Sequence, residues 1–139
     1  MASPLQKTVL VVDDDEALRG LTTKLIERRG HRVLTASSGE EALALLTSAQ
    51  TADLVILDVM MPGMDGFATL ACIRDRGYTN LPVVMLTAQT SDDDLLTGYQ
   101  GGADYYLTKP LKPSSLLNIV DFLIGNLSPE ERAKLEALI

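Results

Sequence analysis

Three aspartates, a threonine and a lysine stand where a parallel sheet would bring them together. Asp13 and Asp14 follow the run Thr8 to Val12, and Asp58 follows Leu54 to Leu57; Thr87 follows Pro82 to Leu86, and Thr108 and Lys109 follow Asp104 to Leu107. In an open parallel α/β sheet the carboxyl ends of the strands line one edge, so residues just past each strand converge in a crevice there. Carboxylates packed at one strand end repel, and a hard divalent cation or a cationic side chain must compensate them. Mg²⁺ meets that need: it prefers oxygen ligands in an octahedron, takes few carboxylates from the protein, and keeps waters that phosphoryl oxygens can replace. An Asp carboxylate is a competent nucleophile toward phosphorus when a metal and an ammonium absorb the charge on the transferred group. Asp58 is best placed for attack, alone at the middle of the sheet, with the acid pair on one side and Thr87 and Lys109 on the other.

The elements that must position these groups read as an alternation of strand and helix. Thr8 to Val12 is a β-branched run ending abruptly in acids, the pattern of a strand buried on both faces. Leu18, Leu21, Leu25 and Ile26 recur at helical spacing between Glu16 and Arg29, with Gly30 as a left-handed C-cap. Arg32 to Thr35 is a second strand, and Ser38 with Glu41 forms a capping box that opens a helix through Leu46. Leu54 to Leu57 is the third strand, and past Pro62-Gly63 a helix runs from Asp65 to Arg76. Pro82 to Leu86 is the fourth, and the fourth helix runs from Ser91 to Gln100, its dipole suited by Asp92, Asp93 and Asp94 and its end marked by Gly101-Gly102. Asp104 to Leu107 and a fifth helix from Ser114 to Gly125 complete five pairs, so the spacing predicts an α/β fold with a parallel sheet. After Gly125-Asn126, Ser128-Pro129-Glu130-Glu131 places a cap, a first-turn proline and a third-position glutamate in the order that starts an extra C-terminal helix. The expected division is residues 1–126 as one domain and 127–139 as a helical extension or linker.

With Val11-Val12-Asp13-Asp14, Asp58-Val59-Met60-Met61-Pro62-Gly63-Met64-Asp65-Gly66, Thr87-Ala88 and Lys109-Pro110 in this order, the chain resembles the receiver domains of bacterial two-component response regulators from Thr8 to Gly125. The resemblance implies a doubly wound, flavodoxin-like sheet of five parallel strands in the order 2-1-3-4-5. It implies that Asp58 is the phosphoacceptor, that Asp13, Asp14, Asp58 and the backbone carbonyl of Met60 serve Mg²⁺, and that Asp14 is a direct ligand. Lys109 and Thr87 would each take a phosphoryl oxygen, and Tyr106 would be the aromatic switch. A sensor histidine kinase or histidine phosphotransfer protein would donate the phosphoryl group. The face made by the fourth helix, fifth strand and fifth helix would then signal to an output domain or protein. Met60 and Gln89 would flank the approach of hydrolytic water. The chain would be a switch, promoting only its own phosphorylation and dephosphorylation.

Each residue has a blander reading. Single acids after strands are often helix caps, and Asp15 is read as one. Tyr105 shows that an aromatic can occupy the fifth strand merely to fill space, and the opposite faces of Tyr105 and Tyr106 would decide. His31 is read as a solvated residue, Cys72 as a core or boundary residue, and Gly20 as tolerated at roughly 1 kcal/mol relative to alanine. In winged-helix regulators the fifth helix carries a Glu and an Arg that pair across a dimer; Ser115 and Ile119 stand there instead. Leu116, Val120, Leu123 and Leu127 form one stripe of that helix, while Phe122 projects to the other side and is expected to dock the sixth helix or another chain. Leu135, Leu138 and Ile139 share roughly one face of the last helix, too short for a coiled coil.

The composition narrows the classes. The 139 residues suit one domain, and a net charge of −7 with scattered Lys and Arg leaves no basic stripe for nucleic acid. One cysteine forms no internal disulfide, no signal peptide or membrane span is legible, and a cytoplasmic protein is expected. A homodimer through the fourth and fifth helices, or through the C-terminal helix, stays open. Two other classes compete: an aspartyl-phosphate phosphatase, which would carry a second acid where Met60 stands, and an unphosphorylated scaffold, which would lack an acid, the Thr or the Lys.

Overall fold

The computed structural model describes residues 6–48, 51–88, 101–125 and 128–138. Five strands alternate with helices: β1 (Thr8–Val12), α1 (Glu16–Glu27), β2 (Arg32–Ala36), α2 (Gly39–Thr47), β3 (Leu54–Asp58), α3 (Gly66–Asp75), β4 (Val83–Thr87) and β5 (Tyr105–Thr108). A helix at Pro113–Ile124 and a C-terminal helix at Pro129–Glu136 follow. The expected fourth helix, Leu127 and Ile139 lie outside the described residues. All pairings are parallel, in the order β2-β1-β3-β4-β5.

Alternation of side chains along the central strands divides the core into two layers, one on each side of the sheet. Leu10, Val12, Val55, Leu57, Val83 and Met85 pack with Leu43, Leu46, Leu70 and Ile73 of α2 and α3. Val9, Val11, Leu54, Ile56, Val84 and Leu86 pack with Ile26 of α1 and with Leu116, Ile119, Val120 and Ile124 of the Pro113 helix. Covered on both faces, the central strands are continuous apolar runs.

Helix starts follow local chemistry. Asp15 caps α1 by accepting from the Leu18 amide, Asp65 caps α3 through the Ala68 amide, and Ser128 with Glu131 forms the full expected box. At α2 the box is displaced: Ser38 accepts from the Glu41 amide, but the Glu41 carboxylate takes the amide and hydroxyl of Ser37, 2.9 and 2.8 Å away. Gly30, past α1, has φ +87°, as a left-handed cap requires.

Two expectations are corrected. His31 is buried rather than solvated: it directly precedes Arg32, which pairs with Thr8 of β1, and its Nδ1 accepts from the Lys7 amide at 3.2 Å. Leu21 faces out, and Thr22 takes the core position beside Ile26. The expectation for Phe122 is met on the side of the sixth helix: the ring is only 7% exposed, with the C-terminal helix lying against it. Cys72 is half-buried against the core, and Gly20 has open space around it.

Candidate functional site

Register decides which strand ends meet. Val12 pairs with Leu57, so Asp13 emerges beside Asp58; Asp58 pairs with Leu86, so Thr87 follows one residue on; Thr87 pairs with Thr108, so Lys109 emerges next. The ladder runs past the strands, with Asp13 N–H donating to Ala36 O at 3.1 Å, Val59 N–H to Leu86 O at 2.9 Å and Lys109 N–H to Thr87 O at 2.9 Å. These bonds hold the site's backbone as firmly as the sheet itself.

Asp13, Asp14 and Asp58 each bring a carboxylate oxygen within 4.8 Å of the others; Asp13 and Asp58 are buried and Asp14 is exposed. Lys109 reaches over them, its Nζ 2.9 Å from Asp58 Oδ1 and 3.8 Å from Asp13 Oδ2. The Met60 amide donates to Asp58 Oδ1 at 3.3 Å, and the Asp15 amide to Asp13 Oδ1 at 2.9 Å. Asp13 Oδ2 is buried and has no hydrogen-bond partner among the described residues. Burial, aided by the negative charges of Asp58 and Asp14, raises the Asp13 carboxyl from 3.8 to about 6 against the lowering pull of the Asp15 amide and Lys109. Three clustered acids, an orphaned buried oxygen and one ammonium that cannot neutralise them all suit a hard, oxygen-seeking divalent cation.

Thr87 is buried at the end of β4. Tyr106 packs on the α2–α3 side of the sheet and Tyr105 on the opposite side. Met60 is 58% exposed beside the acids, and Gln89 lies outside the described residues.

Two contributors have roles that no local sequence signal discloses. Arg19, one turn into α1, donates from Nη1 to the Asp13 carbonyl at 2.7 Å and so steadies the turn that presents both acids. Gly66 packs against the β3–α3 loop: its N–H donates to Val59 O at 2.9 Å, and a Cβ there would collide with the Asp58 carbonyl oxygen. Asp65-Gly66 closes the motif that carries the resemblance, but only the packing shows why a glycine is needed there.

Comparison with known proteins places this geometry. The family model of the response regulator receiver domain matches residues 9–121. The transcriptional regulatory protein AfsQ1 of Streptomyces coelicolor is 45% identical over 105 residues, covering 76% of this chain and 45% of that protein. The chain therefore spans a little under half the length of the curated relatives it matches. Among solved structures, Vibrio cholerae chemotaxis protein CheY4 has a TM-score of 0.80 at 35% identity, over 85% of this chain and 98% of that one. The Francisella response regulator 1452 receiver domain has 0.80 at 34%, over 86% and 97%.

Proposed function

The chain belongs to the family of response regulator receiver domains of two-component systems, and from that premise we propose that it is a phosphorylation switch with Asp58 as phosphoacceptor. One observation carries the reading: the Asp58 carboxylate, 2.9 Å from the Lys109 ammonium, shares its sheet edge with two further acids. The donor is a phosphohistidine on a sensor histidine kinase or histidine phosphotransfer protein. An Asp58 oxygen attacks phosphorus in line; the O–P bond forms as the donor's P–N bond breaks, and the departing imidazole takes a proton from solvent. Mg²⁺ held by Asp13, Asp14, Asp58 and the Met60 carbonyl supplies charge neutralisation to the phosphoryl oxygens when bound.

Lys109 exchanges its contact with Asp58 for a phosphoryl oxygen, and the Thr87 hydroxyl takes another. As Thr87 draws in, the Tyr106 ring turns into the space vacated, and the face that includes β5 and the Pro113 helix changes shape. A phosphoryl group shifts this equilibrium only because it is better satisfied with Thr87 drawn in. The output is a downstream domain or protein, reached without nucleic-acid contact by this chain. Residues 1–126 form the receiver and 127–139 an extension or linker, working in the cytoplasm.

Acetyl phosphate with Mg²⁺ tests the reading by intact mass. The wild type is expected to gain one phosphoryl increment, dependent on Mg²⁺, and Asp58→Ala none. An increment that survives in Asp58→Ala, or steady turnover of phosphorylated metabolites, would sink it.

A further inference from the structure

We propose that Arg19 is a positioning residue for the metal: it fixes the peptide from which Asp14 is presented, and so sets how tightly the acidic edge holds Mg²⁺. The part given to Mg²⁺ rests on the function proposed above.

The three acids are not held alike. Asp58 Oδ1 accepts from the Lys109 ammonium at 2.9 Å and from the Met60 amide at 3.3 Å. Asp13 Oδ1 accepts from the Asp15 amide at 2.9 Å, and Lys109 Nζ stands 3.8 Å from Asp13 Oδ2. Asp14 is exposed, and among the described residues no hydrogen bond or ion pair holds its carboxylate. The place of that carboxylate is therefore set through the backbone alone.

Two bonds pin that backbone from opposite sides. The Asp13 N–H donates to the Ala36 carbonyl of β2 at 3.1 Å, and the Asp13 carbonyl accepts from Arg19 Nη1 at 2.7 Å. This carbonyl belongs to the planar peptide that joins Asp13 to Asp14, so fixing its direction also fixes the nitrogen from which Asp14 is built. A charged donor makes the stronger kind of hydrogen bond, and this one takes up no carboxylate oxygen, so both acids stay open to the cation. The guanidinium has a second neighbour on α2. Glu41, whose carboxyl is held below the usual range chiefly by the amide and hydroxyl of Ser37, is lowered further by the charge of Arg19. Arg19 is half-buried and stands between the turn after β1 and the first turn of α2, with little freedom to leave either. A ligand arranged in advance costs less ordering when the metal arrives, and residues that orient ligands set affinity in this way.

The test is a calorimetric titration of Mg²⁺ into the full chain with no phosphoryl donor present. Arg19→Met, which keeps the aliphatic stem and removes the donor, is expected to bind Mg²⁺ about tenfold more weakly than wild type, and Arg19→Lys, which keeps a charged donor, within about threefold of it. Asp14→Asn weakens binding as well, and adding Arg19→Met to it is expected to change the affinity by less than about twofold, because the two substitutions act on one ligand. Urea unfolding without metal separates affinity from folding: the Arg19→Met midpoint is expected near that of wild type, and a loss of affinity that only tracks a loss of fold overturns the assignment. Arg19→Met binding as tightly as wild type, Arg19→Lys binding no better than Arg19→Met, or a further loss of about tenfold on top of Asp14→Asn also overturns it. All of these outcomes leave the functional reading standing. A wild type that takes up no Mg²⁺ overturns that reading and this assignment with it.

Discussion

Asp13 is the residue at which the site works against the fold. Its carboxylate is buried with an oxygen that no hydrogen bond satisfies among the described residues, and Lys109 is drawn closer to Asp58, 2.9 against 3.8 Å. With its folded pKa raised from 3.8 to about 6, the native state is favoured below pH 3.8, where the carboxyl is protonated folded or unfolded alike, and that advantage is lost as pH rises through 6. Without metal, Asp13→Asn is therefore expected to be more stable than wild type at pH 7.5 by up to about 3 kcal/mol. The gap should close as pH falls from 6 to 4 in urea titrations. Burial of His31 acts in the other direction, since a lowered pKa costs stability as pH falls below 6.5, but it is common to both proteins and cancels in the comparison. Mg²⁺ should raise the urea midpoint of wild type and leave Asp13→Asn nearly unmoved. Equal midpoints for both metal-free proteins at pH 7.5 would contradict the burial argument.

Between elements, close approaches and one arginine set the spacing. Gly66 lets α3 begin against the backbone of Asp58 and Val59, where a Cβ would lie 2.7 Å from Val59 Cα. Gly66→Ala is expected to cost about 2–4 kcal/mol by overpacking against backbone that cannot yield, and to weaken Mg²⁺ binding as the acceptor loop moves. Calorimetry and a metal titration would check both, and a variant as stable as wild type would mean that the loop is softer than it looks. At the opposite end of the sheet, Arg74 in α3 donates to the carbonyls of Tyr78, Leu81 and Gly102 and to Asp104, joining the ends of α3, β4 and β5. Asp104 also accepts from the Val83 amide at 2.8 Å. Arg74→Ala leaves several carbonyls unpaired at once, and a loss of about 2–4 kcal/mol is expected from urea unfolding.

For the molecule as a whole, the sheet is the shared wall of two cores, and neither layer folds usefully without the other. Leu57 belongs to one and Ile56 to the other, both fully buried. Leu57→Ala and Ile56→Ala are each expected to cost about 2–5 kcal/mol, in a single unfolding transition followed equally by fluorescence and circular dichroism. Separate transitions for the two variants would show that the layers are independent. The C-terminal helix adds little to this total, because it buries no side chain of its own and touches the rest mainly through the Pro113 helix.

The sequence by itself determined the alternation of strands and helices and the groups that would meet at one edge. Apolar runs that stop at Asp13, Asp58, Thr87 and Lys109 are local signals, and a parallel sheet leaves a single edge at which strand ends can gather. Tertiary structure decided what depends on neighbours distant in the chain. His31 was buried beside Lys7 because Arg32 pairs with β1, Thr22 displaced Leu21 because of how α1 is rolled, and of the two partners open to Phe122 it was the helix that begins seven residues later that covered it. The roles of Arg19 and Gly66 also waited on folding, since a hydrogen bond to a turn carbonyl and the clearance of a missing Cβ exist only once two elements are packed.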